Sequence, residues 1–202
     1  MPTAADTRER IMETAWDLIR ERGIADLTVA EIAAAAGVSR QLVYVHFDHR
    51  AGLLIAMARH NDVRTGFRER MRATRALEPI ERLEATLRAW WAYLPEVLPV
   101  ARALEAALVA GDEGGAAWAD RMNDLWDALR LCVGRVARAG RLRPGWTRDA
   151  ATDWILAHSQ IAVWQTLVVD RGWSPEDYVE RELAAIFAEL IVPAEATNGP
   201  RA

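Results

Sequence analysis

Lysine is absent: all 25 basic positions in the 202 residues are arginine. Such a bias follows from the base composition of a coding sequence as readily as from chemistry, so no function is read from it. Cysteine is nearly absent. The single Cys132 excludes an internal disulfide framework and a cysteine-based zinc site, and it fits a reducing compartment. The four histidines, His46, His49, His60 and His158, show no spacing of the HExxH kind. No nucleophile, base and orienter converge, so no catalytic residue, metal or cofactor is expected. No run of about eighteen apolar residues occurs, which argues against a membrane span. The opening MPTAADTRER is polar and lacks the apolar centre of a secretory signal. The expectation is a cytoplasmic, non-enzymatic protein.

What remains is rich in Ala, Leu, Glu and Arg, with 51% apolar residues and only three Tyr and three Phe. Those are helix formers, and the chain reads as all-α. Its net charge of −4 is unusual for a nucleic-acid binder, so any attraction to DNA must come from local placement. The first 75 residues are less acidic than the rest, with 12 Arg against 10 Asp and Glu.

One stretch organises the chain: TVAEIAAAAGVSRQLVYVHF, residues 28–47. Thr28 and Glu31 have the spacing of a capping box, in which each side chain satisfies a free backbone N–H at the helix start. Val29, Ile32, Ala33 and Ala36 then recur at helical spacing. Gly37 supplies the left-handed stop, and Ser39 is placed to cap a second helix over 40–46. Two helices joined by so short a turn must cross steeply, as in a helix-turn-helix. On the second helix Val43 and Phe47 can face a core. Arg40, Gln41, Leu42, Tyr44, Val45 and His46 are left over, a mixture suited to a groove with phosphates at its edge and thymine methyls and base acceptors at its floor. A helix packed on both sides is the competing reading of the same residues.

From Arg10 to Leu54 the chain, RIMETAWDLIRERGIADLTVAEIAAAAGVSRQLVYVHFDHRAGLL, resembles the tetracycline-repressor (TetR) family of transcription regulators. The resemblance covers about the first quarter of the chain. It implies a three-helix DNA-binding domain followed by a helical ligand-binding and dimerisation domain. The implied organisation is 1–50 for DNA, 51–192 for ligand and dimer, and 193–202 as a disordered tail. Gln41, Leu42 and Val45 depart from the residues common in the family where base edges would be read, so the operator cannot be borrowed from relatives. Arg50 stands where the family has lysine.

The remainder reads as helices over 7–22, with residues 1–7 frayed, and over 51–75. The next helix holds Ile80 to Leu94 and is interrupted at Pro95 and Pro99. Helices over 100–110, 116–139, 147–171 and 175–191 follow. The 147–171 segment is apolar over so broad a face that a symmetric partner is the economical cover. The resemblance likewise implies a homodimer through the two C-terminal helices. Eight of the nine tryptophans follow residue 89. Trp90, Trp91, Trp118 and Trp126 are the candidates for lining an effector cavity, with core filling as the bland alternative for each.

The expectation is therefore a ligand-responsive regulator, a repressor released from a palindromic double-stranded DNA operator by a small apolar or aromatic effector. Thr28, Tyr44, His46 and Arg50 would hold phosphates. Arg40 and Gln41 would read base edges, and Leu42 and Val45 would touch thymine methyls. A helical protein-interaction module and a cavity enzyme are the alternatives from other classes.

Overall fold

The computed structural model describes residues 3–23 and 27–193. Among these it is helical, with one isolated antiparallel bridge, Leu142 to Ile191. The helices are α1 (Ala4–Arg22), α2 (Val29–Ala35), α3 (Arg40–Phe47), α4 (Arg50–Arg64), α5 (Phe67–Ala73), α6 (Pro79–Val109), α7 (Gly115–Arg138), α8 (Arg148–His158), α9 (Ile161–Trp164) and α10 (Pro175–Leu190). Two compact units result. One comprises Met1–Glu69 and Glu96–Asn123, the other Arg70–Pro95 and Asp124–Ala202. The helices α6 and α7 thus each supply residues to both.

In the first unit α1 lays Ile11, Ala15 and Ile19 against Ile32 of α2, Val43 and Phe47 of α3, and Leu53, Leu54 and Met57 of α4, all buried. Each of the larger side chains removed from water contributes about 1.5–3 kcal/mol, which holds α2 and α3, helices too short to persist alone. The fraying expected over residues 1–7 is not found from residue 3 onward, and residues 1 and 2 lie outside the described residues. Thr3 and Asp6 form a capping box, so α1 begins at Ala4.

The helix expected over 51–75 is divided. It stops at Arg64, Gly66 takes φ 71°, and α5 follows, because a left-handed residue cannot continue a right-handed helix. Conversely, Pro95 and Pro99 do not interrupt α6, which runs unbroken for 31 residues. Each proline removes one i→i−4 donor, but both are exposed. The carbonyl that Pro99 leaves without its donor is that of exposed Pro95, which water can solvate, while Trp91, Leu94, Val97 and Val100 are buried.

The second unit is centred on Leu83, Leu87, Trp90, Trp91, Leu129, Val133, Ile155, Trp164, Tyr178 and Ile186. The single helix expected over 147–171 breaks after His158. Ser159 Oγ donates to the Ile155 carbonyl, Gln160 is extended, and the Trp90 indole donates to the Ser159 carbonyl at 2.9 Å. A tertiary hydrogen bond thereby fixes the interruption. The chain resumes as α9 and a π-helical turn over Gln165–Asp170. Ser174 caps α10, whose first residue is Pro175, as expected. The tail expected from residue 193 lies outside the described residues beyond Pro193.

Candidate nucleic-acid interface

Two capped helices present the candidate face. The Thr28 hydroxyl accepts from the Glu31 N–H at 3.2 Å, and the Glu31 carboxylate accepts from the Thr28 N–H at 2.9 Å. That backbone N–H, with the hydroxyl second, holds the Glu31 carboxyl below the usual carboxylate range. At the other end of α2, Gly37 takes φ 66° and the Val38 N–H reaches back to the Ala33 carbonyl at 2.9 Å. Arg10 of α1 donates to the Ala36 carbonyl at 3.1 Å, so α1 also fastens the turn. Ser39 then caps α3 by accepting from the Leu42 N–H.

The two sides of α3 differ sharply. Val43 and Phe47 are buried, Arg40 and Gln41 are exposed, and Leu42, Tyr44 and His46 are half-buried. Val45 is 74% exposed, an apolar side chain left in water in the free protein. No acidic residue lies on α3. Arg40 donates to the Tyr44 hydroxyl at 3.1 Å and lies over its ring at 5.4 Å, one turn along the same face. Arg8 of α1 lies over the Phe47 ring at 4.8 Å, bringing a second guanidinium to the end of α3.

Two polar groups at the start of α4, His49 and the expected phosphate contact Arg50, are engaged in the fold. His49 caps α4, its Nδ1 accepting from the Gly52 N–H at 2.8 Å. Gly52 is itself obligatory, since a Cβ there would stand 2.4 Å from the Phe47 carbonyl oxygen. The Arg50 guanidinium is turned into the unit, donating to the Leu27 carbonyl at 3.2 Å and to Asp112 at 2.6 Å. Thr28 is exposed, with its hydroxyl bound into the cap. The geometry thus groups Arg40, Gln41, Leu42, Tyr44, Val45 and His46 on one helix and sets Arg50 apart from them. Sequence reasoning missed the Arg50–Asp112 pair, whose separation of 62 positions leaves no local signal.

The tryptophans divide differently. Trp90, Trp91 and Trp126 belong to the second unit and Trp118 to the first. Trp90, Trp91 and Trp118 are buried. The Trp91 ring meets Tyr178 edge-on at 5.8 Å, and its indole N–H has no hydrogen-bond partner among the described residues. Burial pushes the Tyr178 hydroxyl pKa upward. Trp126 is half-buried, its indole donating to Asp153 and its ring lying under Arg130.

Residues 11–57 match the model of the bacterial regulatory proteins, tetR family. The N-terminal segment is a TetR-family helix-turn-helix. It is 43% identical over 54 residues to the HTH-type transcriptional regulator TtgR of Pseudomonas putida, a match spanning 27% of this chain and only 26% of that relative. The HTH-type transcriptional repressor AcnR of Corynebacterium efficiens is 29% identical over 145 residues, 68% of this chain and 70% of that one. Among solved structures NalD, the secondary repressor of the MexAB-OprM multidrug efflux pump in Pseudomonas aeruginosa, is similar over 95% of this chain and 98% of its own, at 26% identity and a TM-score of 0.70. The TetR-type arrangement, an N-terminal helix-turn-helix followed by a helical C-terminal portion, thus extends over nearly the whole chain. Among the described residues no helix is long and apolar enough to cross a membrane.

Proposed function

We propose that this chain is a homodimeric, ligand-responsive transcriptional repressor of the TetR type, acting in the cytoplasm on double-stranded DNA, and that it catalyses no reaction. The observation that carries this reading is the face of α3. An exposed arginine, an exposed amide and a 74% exposed valine stand together on a helix whose opposite side is core. Arg40 and Gln41 then donate to base edges, Val45 and Leu42 meet thymine methyls, and Tyr44, His46 and the Thr28 end of α2 approach phosphates. The division of labour is 1–50 for DNA and 51–192 for effector and dimer.

Support for a dimer comes from the C-terminal helices. Trp154 and Ala157 on α8, and Ala184, Ala185 and Ala188 on α10, are exposed or half-buried. An aromatic ridge beside a row of small residues suits helix packing against a second copy, which would set two recognition helices about 34 Å apart on a palindromic operator.

Release follows from α4. Arg50 to Asp112, Arg59 to Asp120 and Asp62 to Arg121 join α4 to the α6–α7 loop and the start of α7. An effector that prefers one arrangement of α6 and α7 therefore biases α4 and, with it, α3. A small apolar or aromatic effector belongs to this reading, with Trp90, Trp91 and Trp126 of the second unit and, separately, Trp118 of the first as its candidate contacts. The test is electrophoretic mobility of a selected operator at rising salt. A steep loss of affinity with salt supports the reading, and salt-independent or absent retention contradicts it.

A further inference from the structure

We propose that Glu9, Glu13 and His60 form a binding site for one divalent transition-metal ion of the zinc class. The helix α1 sets Glu9 and Glu13 four residues apart, hence on one face, and α4 brings His60 against them. The His60 Nε2 lies 3.7 Å from Glu9 Oε1 and 3.8 Å from Glu13 Oε1. The ligand atoms of the three residues all fall within 4.8 Å of one another.

Those separations are too long for hydrogen bonds. With metal–N and metal–O bonds near 2.0–2.1 Å, two ligands at the tetrahedral angle stand roughly 3.3–3.4 Å apart, so side-chain rotations that close these gaps by a few tenths of an ångström bring the three groups around one ion. The imidazole is otherwise poorly placed. Its Nε2 is closed off from solvent and has no hydrogen-bond partner among the described residues. A lone pair facing two carboxylates is repelled, whereas an N–H there would draw a carboxylate oxygen to bonding distance. A cation between the three groups removes the conflict.

The surrounding arginines leave the position open. Arg59 pairs with Asp120, Arg64 donates to Asn61 Oδ1 at 2.8 Å, and Arg8 lies over Phe47. Two carboxylates balance a doubly charged ion, and the ring nitrogen favours a borderline first-row metal over Mg²⁺ or Ca²⁺, which prefer oxygen alone. A cavity of about 200 Å³ beside His60 and Glu13 gives water room to complete the coordination. The ion ties α1 to α4 and stabilises the helix-turn-helix unit.

Full-length protein freed of metal with EDTA is titrated with Zn²⁺ by calorimetry and with Co²⁺ by visible absorption. The wild type takes up one equivalent per chain and its Tm rises with Zn²⁺ but not with Mg²⁺. In His60→Asn and Glu13→Gln, checked as folded by circular dichroism, the affinity is at least tenfold weaker, the Tm rise is lost and the cobalt ligand-field bands disappear. No uptake by the wild type, equal uptake by wild type and both variants, or an equal Tm rise with Mg²⁺ overturns the assignment.

Discussion

The Arg50 guanidinium lies 2.6 Å from the Asp112 carboxylate, joining the first residue of α4 to the loop between α6 and α7. The arginine side chain is 15% exposed and also donates to the Leu27 carbonyl, so one group fastens α4 to both the chain ahead of α2 and the distant loop. Asp112 in turn accepts from the Gly114 N–H at 2.7 Å, which shapes the loop around the pair. We expect Arg50→Ala, Asp112→Ala and the double variant to reveal a coupling of about 1 kcal/mol in urea unfolding, modest because the carboxylate is partly exposed. Strict additivity of the two single changes would mean that the pair does not fasten α4.

The pH dependence of that contact has a definite sign. Arg50 first, then the Gly114 N–H, holds the Asp112 carboxyl below the usual aspartate value. A depressed carboxylate contributes stability above its unfolded pKa of about 3.9, and that contribution is lost as pH falls through the lower folded value. Between pH 5 and 8 the coupling in the double-mutant cycle is therefore constant, and it declines only in strong acid. A coupling that falls between pH 7 and 5 would contradict this.

On α3 the two kinds of contact separate experimentally. Gln41→Ala changes the preference among operator variants by about 1–3 kcal/mol, while Tyr44→Phe weakens binding to all sequences alike. Arg40→Ala does both, because Arg40 also positions the Tyr44 hydroxyl. Fluorescence anisotropy on a panel of single-base operator variants reads all three. Unchanged selectivity in Gln41→Ala would remove it from the reading face.

Gly52 makes a tight backbone approach at the α3–α4 corner. An added methyl group meets a backbone carbonyl, which cannot move aside as a side chain could. Gly52→Ala is expected to cost about 2 kcal/mol or more in thermal or urea unfolding. A stability within about 0.5 kcal/mol of wild type would show that the corner relaxes freely.

The proposed dimer is tested by charge. Ala188→Glu places a carboxylate on the small-residue face of α10, and sedimentation is expected to show monomers with operator affinity reduced about 100-fold as the second half-site contact is lost. A dimer of undiminished affinity would move the interface elsewhere.

Local chemistry was legible in the sequence and distant chemistry was not. The Thr28–Glu31 box, the Gly37 turn, the Ser39 cap and the burial of Val43 and Phe47 depend on residues within four positions of each other, and all stand as expected. The differences arose where a contact from far along the chain decides. Trp90 fixes the break at Ser159, and Asp112 pairs with the Arg50 guanidinium from 62 positions away. The continuity of α6 through Pro95 and Pro99 is another case, because it depends on which side of the helix is solvated. The grouping of Glu9 and Glu13 with His60 needs the packing of α1 on α4, and linear spacing cannot show it.

The central claim is that α3 reads duplex DNA from a symmetric pair, and the most direct measurement is selection from a randomised duplex library by the full-length protein. The account predicts convergence on an inverted repeat whose half-sites lie about one helical turn apart, with the Arg40→Ala, Gln41→Ala double variant losing that convergence. Recovered sequences that share no motif, or a motif that the double variant selects equally well, would contradict it.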